Sequence, residues 1–141
     1  MRIAVISLAE DATVQDGRLV PVRPIERFTL HDTPHVIRTE TFVVLLEFSY
    51  PREESGINVR AETIIRNRAG DILASTNMGL GTLPALPDGG LVFGTRIPIV
   101  GAHFPAVGTH ELRVTLRDLG VPDGGILARR ILAFDVREMV P

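Results

Sequence analysis

Three residues within five positions, His31, Asp32 and His35, come nearest in this chain to a metal-binding or acid–base cluster. Histidines four apart share one face of a helix, and Asp32 would supply a third ligand. Pro34 falls between them and denies the segment a regular helix. No complete zinc or iron spacing is present. A solvated loop, with Asp32 and Thr33 turning ahead of the proline, is the simpler reading. We therefore expect no metal and no cofactor. A small-ligand pocket or hydrolytic site near His31, Asp32 and His35 is the alternative function.

His110 is in phase with Leu112, Val114 and Leu116, on the core side of a cleanly alternating segment. It would be a general base if an Asp or Ser approached it in space. The structural reading is a corner residue whose ring nitrogen bonds a backbone carbonyl. No Gly-x-Ser-x-Gly elbow or phosphate loop accompanies it. The glycine-rich pieces GLG and DGG are turns, and none opens a helix that could hold phosphate. No residue is assigned a catalytic role, and we expect the chain not to be an enzyme.

The cations carry a different signal. All fifteen basic residues are arginine, against seventeen Asp and Glu, for a formal net charge of −2. Codon bias explains such usage, and so does selection for planar, bidentate anion contacts. Three alternating segments, 57–68, 109–117 and 126–137, would share one sheet of a sandwich. Their outward positions carry Arg60, Arg66, Arg68, Arg113, Arg117, Arg129 and Arg137, answered by Glu62, Glu111 and Asp135. An anion-facing surface of Arg60, Arg66, Arg68, Arg113 and Arg117 follows, suited to an acidic partner. A solvated face laced with cross-strand ion pairs is the competing reading. This face has no aromatic residue for base stacking, which argues against nucleic acid.

The elements that hold these residues centre on residues 41–50, TFVVLLEFSY. Phe42, Val44, Leu46, Phe48 and Tyr50 fall on one side of a strand, with Val43 and Leu45 on the other. One wholly apolar face and one half-apolar face mark an interior strand. Its length and the Pro51 that ends it favour strand over helix. Asp16-Gly17 between β-prone arms predicts a hairpin, whose second arm, with Pro21 and Pro24, belongs at an edge. PREESG, NRAGD and PDGG read as further turns. Residues 29–38 and 77–90 read as loops. The second loop holds Met78, Leu80, Leu83 and Leu86. It either folds over one end of the domain or docks on another subunit or partner.

About eight short strands with turn signals between them, and no convincing amphipathic helix, predict a single antiparallel β-sandwich of the immunoglobulin-like kind. A closed barrel is the alternative. The segment FPAVGTHELRVTL resembles the penultimate strand of many such sandwiches, with His110 in the anchoring aromatic position. Together with LAEDATVQDGRLVPVRPI near the start, the layout is similar to an uncharacterised family of small bacterial immunoglobulin-like proteins. That resemblance implies a fold and carries no activity.

At 141 residues the chain fits one domain, residues 1–141. It has no cysteine, hence no disulfide framework, which fits a cytoplasmic protein. The short apolar start reads as a first strand and not a secretory signal, and no run approaches the length of a membrane span. The expectation is a non-catalytic interaction or structural module that binds another protein or itself.

Overall fold

Alternation along residues 41–50 does produce the central strand, and the rest of the molecule is arranged on its two faces. A computed structural model describes residues 1–16, 18–30, 39–85 and 92–138. In chain order the strands are β1 (Arg2–Gln15), β2 (Arg18–Ile25), β3 (Arg27–Leu30), β4 (Thr39–Ser49), β5 (Asn58–Arg66), β6 (Ile72–Thr82), β7 (Val92–His103), β8 (Gly108–Asp118) and β9 (Gly125–Glu138). One 3-10 turn, Arg52–Glu54, and no α-helix accompanies them among the described residues.

Two sheets result. The first runs β2-β1-β4-β7 and the second, which curls, runs β3-β9-β8-β5-β6. Every ladder is antiparallel except β3 on β9. The fold is therefore all-β and sandwich-like. Strands 5, 8 and 9 share a sheet, as the sandwich layout implies for the three alternating segments.

Between the sheets lies one core. Phe42, Val44, Leu46 and Phe48 of β4 face Val59, Ala61 and Ile65 of β5 and Leu112, Val114 and Leu116 of β8, all fully buried. Phe28 on β3 closes one end, with ring centroids 4.9 Å from Phe42 and 4.8 Å from Phe104. That contact explains a strand the sequence does not announce. RFTL is too short to alternate visibly, and its partner is the last strand of the chain.

The outer side of β4 is also covered. Beyond Ala9, β1 leaves β4 and pairs only with β2, and the hairpin lies back across the first sheet. Ala9, Ala12, Val43 and Leu45 form a second small cluster under Leu19. Gly94 on β7 makes room: a Cβ there would sit 3.3 Å from Leu19 Cδ1. Arg96 of β7 then pairs with Asp11 at 2.6 Å. The half-apolar second face of the central strand thus has a specific cover.

Two expectations need correction. Residues 77–82 continue β6 and are not part of a loop, because Met78 and Leu80 are turned inward while Asn77 and Gly79 face out. The strand total is nine among the described residues, β3 being the addition. The turns at residues 67–71 and 121–125 form as expected. Asp71 N donates to Asn67 Oδ1 at 2.9 Å, and Asp123 and Gly124 both adopt positive φ, 69° and 57°.

Tyr50 fastens the segment that follows β6. Its hydroxyl donates to the Pro84 carbonyl at 2.8 Å, and burial pushes its pKa above the ordinary 10.0. Folding therefore favours the neutral phenol. The stability this gives is complete below about pH 10 and is lost as pH climbs through the raised folded value. Tyr50→Phe should cost about 1 kcal/mol at neutral pH and flatten the alkaline decline. Urea unfolding across pH measures both, and an equally steep decline in the variant would refute the assignment.

Candidate interaction surface

The hairpin covers the middle of the outer face of the first sheet, and among the described residues the broader open face belongs to the second. Strand alternation sends Arg60, Glu62, Ile64 and Arg66 of β5 outward beside Glu111, Arg113, Thr115 and Arg117 of β8. From β9 come Arg129, Ile131, Ala133 and Asp135. Arg68 stands in the adjoining turn and is exposed.

Register places Arg60 directly opposite Arg117. Like charges facing across a ladder are unfavourable. The molecule relieves this pair on one side only. Arg117 reaches Glu62 at 3.5 Å and donates to the Gly124 carbonyl at 2.9 Å. Arg60 has no ion pair or hydrogen bond among the described residues, and neither do Arg66, Arg68 and Arg113. Lacing by cross-strand ion pairs is thus sparse among the described residues: Arg117–Glu62 crosses strands, and Arg137–Asp135, at 3.3 Å, lies within β9.

The arginine stems lie against the sheet. Thr115 is on the outer face yet only 1% exposed, and Arg129 Nε donates to its hydroxyl at 3.1 Å. Arg60, Arg66 and Arg113 are half-buried, each with an Nε shielded from solvent and without an acceptor. Packing of this kind restrains long side chains before any partner arrives. At one end the face deepens into an open cleft of about 500 Å³, lined by Asn67, Arg68, Thr109, His110, Glu111, Ile131 and Ala133.

His110 itself is a core residue, 2% exposed. Nδ1 lies 2.9 Å from the Gly108 carbonyl, so that nitrogen carries the proton and donates. Its ring stacks on Phe134 at 5.6 Å and meets Phe104 edge-on at 5.4 Å. Nε2 has no partner. This is the corner reading of the residue, with phenyl rings where a catalytic dyad would need a carboxylate.

The remaining candidates divide. His31, Asp32, His35 and Leu86 lie outside the described residues. Met78 and Leu80 are half-buried on the inner side of β6, packed against the core. Leu83 is 1% exposed, and its backbone is held by Ile57 at 2.8 Å and Gly56 at 2.9 Å. Leu83 therefore caps its own domain. No group of three or more His, Asp or Glu capable of holding a metal occurs among the described residues. No helix among them is long and apolar enough to cross a membrane.

No protein-family model matches the chain, and no curated protein matches it in sequence.

Proposed function

We propose that the protein is a non-catalytic interaction module, an immunoglobulin-like sandwich that binds an acidic protein surface through the arginine face of its second sheet. The observation that carries this is the row of guanidinium groups on Arg60, Arg66, Arg68 and Arg113, which have no carboxylate partner among the described residues of a chain with net negative charge. A sheet face that served only solvation would pair them, since cross-strand ion pairs are within easy reach. Restrained stems lower the ordering cost of binding, and guanidinium forks match carboxylates two bonds at a time. The immunoglobulin-like reading is supported by strand order. The chain passes at Glu26 from the edge of one sheet to a parallel pairing with the last strand, and β9-β8-β5-β6 then follow as neighbours.

Labelled polyglutamate is a direct probe. Binding should weaken as salt rises, because exposed charges are screened. Arg66→Ser with Arg113→Ser should lower affinity by at least about tenfold, with the unfolding midpoint close to wild type. Equal affinity in the double variant would overturn the proposal, as would preference for polylysine.

A further inference from the structure

We propose that β6 is a pairing edge and that its occupant is a second copy of this chain. Exposed sheet edges are normally protected by proline, charge, brevity or cover. The other edges of this molecule carry such devices. On β2 these are Pro21, Pro24 and the positive φ of Arg23, 52°. β7 has Arg96 and Pro98, and β3 is four residues long. Where β9 runs beyond β3, Arg130 donates to the carbonyls of Ala4 and Ile3, at 2.5 and 3.3 Å, and so blunts the β1 edge as well.

β6 has neither proline nor charge nor brevity, and only a bulge near each end interrupts it. Its eleven residues, ILASTNMGLGT, include no charge and no proline. Register shifts lie near both ends, leaving residues 74–79 in regular pairing with β5. β7 of the other sheet comes near β6, and burial shows that this cover is only partial. The inward residues Ala74, Thr76, Met78 and Leu80 are only half-buried, whereas Val59, Ala61, Thr63 and Ile65 on neighbouring β5 are all 0% exposed. A strand laid alongside would complete the cover of Met78 and Leu80.

Charge selects the occupant. Two β6 strands meeting antiparallel about a two-fold axis set only neutral residues opposite one another. The arginines of the two β5 strands would then stand three strand spacings apart, roughly 14 Å, beyond the screening length of about 8 Å at physiological salt. Such a dimer would join two arginine faces into one ten-stranded surface without repulsion across the seam. Pairing through β6 does not depend on which acidic partner the arginine face meets.

Light scattering across a concentration series tests it, with Ser75 and Asn77 as the sites of change because both are exposed. Wild type should approach twice the 15.4 kDa chain mass at high micromolar concentration. Ser75→Lys with Asn77→Lys should weaken association by at least about tenfold, as should Ser75→Asp with Asn77→Asp, each keeping its denaturation midpoint. An equimolar mixture of the two double variants should regain the dimer, because Lys then meets Asp. A wild type that stays monomeric overturns the proposal. Unchanged dimerisation in both variants, or no recovery on mixing, overturns it equally.

Discussion

Leu46→Ala is expected to lose about 2–5 kcal/mol of stability, the range for truncating a buried leucine. Leu46 is 0% exposed at the middle of β4, between the two sheets. Neighbours from β5 and β8 are pinned by ladders on either side, so the cavity has little room to collapse. Leu45→Ala should cost less, at about 2 kcal/mol, the low end of that range. Leu45 is also buried, but its cluster is small and its cover is a hairpin that is able to settle onto the gap. Denaturant unfolding should show a lower midpoint with unchanged slope for both. Equal small losses would contradict the placement of β4 at the centre.

Leu83→Asp is the second large effect. The side chain is 1% exposed, and the backbone is fixed to Ile57 and Gly56 on both of its hydrogen-bonding sides. An unpaired carboxylate there should cost roughly 3–5 kcal/mol or prevent folding. Mass in solution should not change before stability does. A well-folded Leu83→Asp protein with a smaller assembly mass would instead make Leu83 an interface residue. From the sequence, an apolar stretch among Gly and Pro leaves two readings of Leu83 open, a cap on its own domain and a docking residue. What that pattern hides is Tyr50, thirty-four residues before Pro84, whose hydroxyl holds the Pro84 carbonyl and draws the segment onto the core.

The particular successes and failures share a physical cause. β4, β5, β8 and β9 were legible because each alternates over many residues, and alternation is a local property. The common sheet of β5, β8 and β9 was legible from the sandwich layout that the strand spacing implies. β6 was cut short at Asn77 because Gly79 and Gly81 look like turn residues, although its inward Met78 and Leu80 keep the period. Its missing charges, visible in ILASTNMGLGT, are the signal of an uncharged edge. β3 had no local signal at all, since four residues and a parallel partner at the far end of the chain leave no pattern. The hairpin's fold-back had a trace, the apolar Val43 and Leu45 on the second face of β4. That trace asked for a cover without naming Ala12 and Leu19. The arginine face was visible as composition. Which arginines lack a partner depended on register, with Arg60 set opposite Arg117 and only Arg117 reaching Glu62.

The claim that the second sheet's outer face is a recognition surface is tested most directly by backbone amide shifts on titration with polyglutamate. Perturbations should concentrate on outward positions of β5, β8 and β9, around Arg60, Arg66, Arg113 and Arg117, and fade as salt rises. The covered face of the first sheet, including Val43 and Leu45, should stay still. Shifts spread evenly over both sheets, or absent from the arginine rows, would contradict the account.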